Sequence, residues 1–387
     1  MKCLLNLFCL IGFSTLMAQP FPIGHRQLSL TDPARPGRNI GVELYYPATI
    51  SGDNVPVASG QFPVVVFGHG FLMVWSSYQP YWENLVPEGY ILAFPTTEGT
   101  FSPSHAALGA DLSRIRAWLA SENSVAGSIW ENHIAQTSAV MGHSMGGGAS
   151  FLALAGDTAF TTLIGIAAAE TNPSAILAAT NITKPVLILA GGNDCVTPIP
   201  QHQQPMYDTL NSVSKSLITV TGGSHCQFAT SDFFCNTGES TCQPAPAITP
   251  AVQQTITFQG ILPWLNFYLK GDCTAGPVFQ QYLTATSISV QQEGFLNCNA
   301  AGDMETAESK FFIVYPNPSD GRITIDLQGE SEVSIDLLDA MGRQSASWKV
   351  SSSEVWHQDL RFLPVGIYWI QITDKYGRRM FCKWNLI

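Results

Sequence analysis

Charge is scarce in this chain of 387 residues: Asp, Glu, Lys and Arg make up only 12% of it, and the balance is acidic, at −11. So acidic a chain excludes nucleic acid as a partner. No internal repeat is visible, which excludes a repeat architecture. The cysteines never stand in C-x-x-C spacing, so a zinc site has no support. No stretch is apolar for long enough to cross a bilayer, since the one at the N-terminus, Cys3 to Phe13, is too short.

What is abundant is apolar: 45% of residues are hydrophobic, enough for a large core beneath a polar, sparsely charged surface. The length suits two domains of unequal size. Residues 1–18 read as a signal peptide, with Lys2, the apolar run and a cleavage site at Ala18, although Leu16 fits the small-residue rule poorly. Export makes disulfides the default for the six cysteines between Cys195 and Cys298.

One stretch organises the chain. The strand-like run Ala139 to Met141 meets Gly142-His143-Ser144-Met145-Gly146, and a small-residue helix is expected over Ala149 to Ala155. A strand, a G-x-S-x-G turn and a helix form a nucleophile elbow, which exposes the serine above a sheet and turns the next N–H toward a developing oxyanion. Before it, Phe62 to Phe67 and Tyr90 to Phe94 read as buried strands. Between that second strand and the elbow, Ser104 to Ser121 carries a helical face at Leu108, Leu112, Ile115 and Leu119, with Ser104 as cap. After it come strands at Leu163 to Ala168, Pro185 to Ala190 and Leu217 to Val220, then a helix, Gln253 to Leu269, that must accommodate Pro263. Strands alternating with helices predict a mostly parallel sheet covered on both faces. Beyond a polar linker at 301–310 the pattern turns to short alternating strands, a small β-sandwich.

A serine nucleophile needs a base, and the base needs an orienting acid. Asp194 follows the strand ending at Ala190, and His225 follows the strand ending at Val220, so both fall at the same sheet edge as Ser144. That is the order Ser, acid, His. Gly68-His69-Gly70-Phe71 ends an earlier strand, and its Phe71 N–H is expected to complete the oxyanion hole with the Met145 N–H. His69 reads as support for that loop and His143 as packing. Cys195 directly follows the acid and Cys226 the base, which suggests a Cys195–Cys226 bridge; proximity then pairs Cys235 with Cys242 and Cys273 with Cys298.

These motifs resemble a known group. Gly142 to Gly148, Gly191-Gly192-Asn193-Asp194 and Gly223-Ser224-His225 are similar to the bacterial cutinase and PET hydrolase group, within the α/β-hydrolase, dienelactone-hydrolase-like superfamily; the resemblance covers roughly residues 25–300. It implies an α/β-hydrolase domain at 19–300 and a secreted carboxylic ester hydrolase. Ser144 is then nucleophile, His225 base and Asp194 orienter. The reaction needs no metal or organic cofactor. The cleft wall is expected to include Phe71, Trp75, Met145 and Phe228. Where the group carries a substrate-clamping Trp, this chain has Glu170, which favours neutral acyl esters and aliphatic polyesters over PET. Alternatives are a lipase or phospholipid-acyl hydrolase, or a catalytically dead surface adhesion module. At the C-terminus, Tyr315-Pro316-Asn317-Pro318-x-x-Gly321, Asp339-x-x-Gly342-Arg343 and Leu363-Pro364-x-Gly366-x-Tyr368 resemble the type A sorting domain of type IX secretion, over 311–387. That resemblance implies a Gram-negative Bacteroidota-type source, the type IX secretion machinery as partner, and a secreted or cell-surface protein.

Overall fold

The computed structural model describes residues 20–294, 296, 313–316, 319–327, 332–339, 343–351, 355–373, 375 and 379–386. The signal peptide read over residues 1–18, the linker at 301–310 and Cys298 lie outside them.

The first unit opens with β1 (Ile23–Thr31), β2 (Asn39–Pro47), β3 (Gly52–Asp53) and β4 (Phe62–Gly68), then α1 (Gln79–Leu85), β5 (Ile91–Pro95) and α2 (His105–Glu122). Next come β6 (Ile134–His143), α3 (Met145–Gly156), β7 (Thr162–Ile166), α4 (Ala175–Ala179) and β8 (Val186–Gly191). It closes with α5 (Gln203–Thr209), β9 (Lys215–Val220), α6 (Phe233–Glu239), α7 (Pro250–Lys270), α8 (Ala275–Tyr282) and β10 (Ile288–Glu293). The ten strands form one sheet in the order β10-β9-β8-β7-β6-β4-β5-β2-β1-β3. From β5 through β9 every pairing is parallel, while β2 and β10 join antiparallel at either side. This is the α/β-hydrolase fold.

The continuous apolar strands are explained by burial on both faces. In β4, Val64 and Val66 point into the core that also holds Leu108, Leu112, Ile115 and Leu119 of α2 and Phe151 of α3. Val65 and Phe67 point the other way, toward Tyr81 and Leu85 of α1 and Ile261, Trp264 and Leu265 of α7. Helix α2 starts as the periodicity predicts, its Ser104 side chain accepting the Ala107 N–H. Helix α7 runs through Pro263 without a break and stops at Gly271, whose φ of +66° is the left-handed C-cap geometry glycine supplies.

The chain continues in β11 (Ile313–Tyr315), β12 (Arg322–Asp326), β13 (Val333–Leu338), β14 (Gln344–Val350), β15 (Val355–Asp359), β16 (Gly366–Thr373) and β17 (Arg379–Leu386). They form two antiparallel sheets, β11-β12-β15 and β14-β13-β16-β17, a β-sandwich. Its core holds Ile323, Ile325, Ile335, Leu337, Ile370, Ile372 and Trp384.

A charge network fixes the loop between β5 and α2. Asp111, fully buried in α2, accepts from Arg35 at 2.6 Å, from Arg38, and from the Thr97 hydroxyl at 2.5 Å. Arg38 also pairs with Glu98 at 2.8 Å. Removing the carboxylate leaves each guanidinium with one carboxylate partner, Asp32 for Arg35 and Glu98 for Arg38, and takes away the buried acceptor that joins them. Asp111→Ala, which loses charge-assisted bonds to both arginines, is therefore expected to cost about 2 kcal/mol, read as a lowered urea midpoint with unchanged slope. A midpoint equal to the wild type's would show that the network contributes nothing.

Candidate active site

Ser144 sits at the corner between β6 and α3 with φ 55° and ψ −120°. That conformation costs a residue with a side chain roughly 1–3 kcal/mol, so its surroundings must enforce it. They do so through the backbone. The Ser144 N–H donates to Ile166 O at 2.9 Å, and its carbonyl accepts from Gly148 N–H at 3.1 Å and Ala169 N–H at 2.9 Å. The glycines give the close approach this needs: a Cβ on Gly146 would stand 2.1 Å from Gly68 O, and one on Gly148 would stand 2.1 Å from Ala169 O. Helix α3 thus begins at Met145, four positions before the expected Ala149, because these glycines form its first turn.

Asp194 and His225 meet directly. The His225 Nδ1–H donates to Asp194 Oδ2 at 2.7 Å, and both side chains are buried. The other carboxylate oxygen accepts the N–H groups of Val196 and Thr197, each at 2.8 Å, and the Thr197 hydroxyl bridges to Oδ2 at 2.8 Å. Burial alone would raise this carboxyl, but the bonds from His225 and Thr197 outweigh it and hold it below the ordinary carboxylate range. With Nδ1 engaged, the imidazole has only Nε2 left to move a proton. Thr197 was not legible as a site residue, since only the local turn after Asp194 brings it there.

A second buried histidine ties these parts together. His143, read from sequence as packing, donates from Nε2 to the His225 carbonyl at 3.0 Å and lies 3.1 Å from the Tyr78 hydroxyl through Nδ1. Tyr78 in turn accepts the Gly70 N–H at 2.7 Å, which orients the loop leading to Phe71. Burial, with His225 alongside, pushes the His143 imidazole down to about 3. His69 reaches Thr97 O through Nε2 at 2.7 Å, so it braces the same loop. The Met145 N–H belongs to the first turn of α3, where amides have no helical acceptor.

The expected cleft wall divides. Phe71 is exposed, at 44%, beside the glycine loop. Met145 is buried, and Trp75 is half-buried against His25, Tyr45 and Trp82. Phe228 cannot line an open cleft: it is fully buried in the core beneath the site, 6.3 Å from the His143 ring between centroids. Glu170 turns its carboxylate onto α4, accepting the Ile176 N–H at 2.9 Å, and its own N–H donates to His202 Nδ1 at 2.9 Å. The disulfides also differ from expectation. Cys195 joins Cys242, and Cys226 joins Cys235, in place of Cys195–Cys226 and Cys235–Cys242. The Asp194–His225 bond aligns the residues before these cysteines, while each following side chain leaves toward the segment that carries α6. The expected Cys273–Cys298 pair involves a residue outside those described.

Residues 20–238 match a family model described as PET hydrolase-like, and residues 313–382 match one described as a secretion system C-terminal sorting domain. No curated protein matches.

The protonation of His143 has a consequence for stability. Unfolded, its imidazole takes up a proton near its ordinary value of 6.5; folded, only near about 3. The unfolded chain therefore binds the extra proton between these limits, so this contribution is complete above 6.5 and is lost as pH falls toward 3. Asp194, held low, acts in the same direction but only below the ordinary carboxylate range. Stability from urea unfolding is expected to decline between neutrality and mildly acid pH, by at most about 1.4 kcal/mol per pH unit for one such proton. In His143→Gln, which can still donate to His225 O, the decline should be shallower. Equal slopes for the two proteins would mean that His143 does not stay neutral.

Proposed function

Because the chain belongs to the PET hydrolase-like family, we propose that it is a secreted serine carboxylic ester hydrolase of the cutinase and polyesterase kind, with residues 19–300 as its catalytic unit. The observation that carries this reading is the buried 2.7 Å bond from His225 to Asp194 at the sheet edge where Ser144 holds its strained corner.

In this reading Ser144 Oγ attacks the ester carbonyl carbon while His225 Nε2 takes the hydroxyl proton. The carbonyl π electrons move onto oxygen, where the Phe71 and Met145 N–H groups stabilise them, each donor contributing about 3 kcal/mol in comparable sites. The C–O bond to the alcohol then breaks, and the imidazolium returns its proton to the leaving oxygen. Water, deprotonated by the same imidazole, cleaves the acyl-enzyme and frees Ser144. Asp194 keeps Nδ1 protonated and balances the imidazolium charge throughout. The substrates are neutral acyl esters and aliphatic polyesters, with weak action on PET. The sorting-domain match supports export through type IX secretion machinery to the medium or the cell surface, as in Bacteroidota. Among the described residues no helix is long and apolar enough to cross a membrane.

Two measurements test this. A fluorophosphonate probe should label the wild type at Ser144, and Ser144→Ala should abolish both labelling and ester hydrolysis. His225→Ala should cost about as much turnover, because the triad acts as a unit; turnover near wild type in either variant sinks the assignment. For the substrate, Glu170→Trp is expected to raise PET-film hydrolysis relative to that of a short acyl ester. It also deletes the acceptor for Ile176 N–H, at a cost of about 1 kcal/mol in stability. An unmoved ratio between the two substrates would rule out Glu170 as the stand-in for the aromatic clamp.

A further inference from the structure

The main chain of His225 is gripped from a direction that the triad does not explain. Its N–H donates to Glu239 Oε1 at 2.6 Å, and the next N–H, of Cys226, donates to the same oxygen at 3.1 Å. On the far side, the His225 carbonyl accepts from His143 at 3.0 Å. The ring is held at Nδ1 by Asp194 at 2.7 Å. The base is therefore fixed at three points, and the carboxylate of Glu239 supplies one through two charge-assisted bonds, the stronger class of hydrogen bond.

The way Glu239 is delivered points to a purpose beyond stabilising its own helix. It is the last residue of α6, a helix of seven residues with none fully buried, so side-chain packing, confined to Phe234 against Phe101 and to the half-buried Cys235, does little to hold it in place. Covalent and polar ties do. Cys235, within α6, is bonded to Cys226, the residue after the base; Cys242, three positions past Glu239, is bonded to Cys195, the residue after the acid. The Asp232 side chain caps the helix start by accepting the Phe234 N–H at 3.0 Å, and it also accepts the Ser77 hydroxyl at 2.9 Å. The half-buried carboxylate at the end of a largely exposed helix is thus aimed at the backbone of the proposed base.

We infer that Glu239 is a positioning residue for the proposed base His225, held in place by the two disulfides on either side of it. This rests on the hydrolase reading above. Glu239 touches neither Ser144 nor any reacting atom in this role; it sets where the imidazole stands, and an error of about 1 Å there costs turnover on the order of 100-fold.

The test uses the full chain, oxidised, with a short-acyl p-nitrophenyl ester. E239A should lower kcat by roughly 10- to 100-fold with KM little changed. E239Q, whose amide oxygen can accept the same two N–H groups, should recover most of that loss. Opening the inner bridge by replacing Cys226 and Cys235 with serine should lower kcat in the same way, and adding E239A to that protein should reduce it little further, since the two changes remove one constraint. A kcat for E239A within twofold of wild type overturns the proposal, as does E239Q falling as far as E239A. The Nδ1 proton of His225, followed by NMR, gives a readout free of substrate: it should be protected in the wild type and E239Q and broadened by exchange in E239A. If the wild type cleaves no ester, the hydrolase reading fails while the NMR comparison still decides the placement of His225. A protected signal in E239A, with or without turnover, overturns the proposal.

Discussion

The structure depends on how tightly the first turn of α3 presses onto the ends of its neighbouring strands. Gly146 lies so near Gly68 that no side chain fits between them, and Gly148 is as close to Ala169. That contact sets the end of β4, the end of β6 and the loop after β7 against one another. This junction brings Met145 and the loop reaching Phe71 to one side of Ser144, and the burial of Met145 and the bonds of His69 and Tyr78 then secure them there. Glycine lowers the helical propensity of the turn by about 1 kcal/mol per residue. The loss is offset because the serine can then hold a backbone that an ordinary helix start does not offer.

The parts of the site that depend on chain order were legible in the sequence. Ser144, Asp194 and His225 each follow a recognisable apolar strand, and parallel strands carry their C-terminal ends to a common edge. The two-sided burial of β4 and the cap at Ser104 were legible for the same reason, that local pattern and local structure coincide. What escaped depends on the direction of a side chain in an irregular loop. Phe228 follows His225 by three residues in a single 3₁₀ turn, and nothing in its neighbours distinguishes an inward from an outward ring. The pairing of Cys195 and Cys226 failed likewise, because closeness of two backbones does not align the side chains one position on. Tyr78 and Thr197 become neighbours of the histidines only through folding, and His143 shows its polar role only when both of its partners are in view.

Sparse charge on the whole molecule goes with concentrated charge at a few places. Asp111, which pairs with the half-buried Arg35 and Arg38, and Asp194 with His225 occupy positions where water is largely excluded from the carboxylate. In such places each interaction is stronger than on the surface and an unpaired member is costly. The acidic group of the first cluster braces the loop between β5 and α2, whose Thr97 carbonyl meets His69, and the acidic group of the second orients the ring of His225. Elsewhere the surface relies on Gln, Asn, Ser and Thr, which solvate without strong fields.

The two borders of the ten-stranded sheet lead to a different matter, the behaviour of many copies together. An unpaired strand edge is a template for another chain. Here one border is shared by β3, only two residues long, and the rest of β1, since β3 pairs with Gly24 and His25 alone. The other is β10, where Ser289, Gln291 and Glu293 are exposed and the Gln291 side chain is tied to Gln204 at 2.7 Å. Past His25 the edge of β1 is not covered by β3, and there Gln27, Ser29 and Thr31 alternate with Leu28 and Leu30, so neither border presents a continuous apolar row. A broad sheet whose two borders both carry polar side chains at alternate positions offers a poor surface for edge-to-edge stacking of one copy on another.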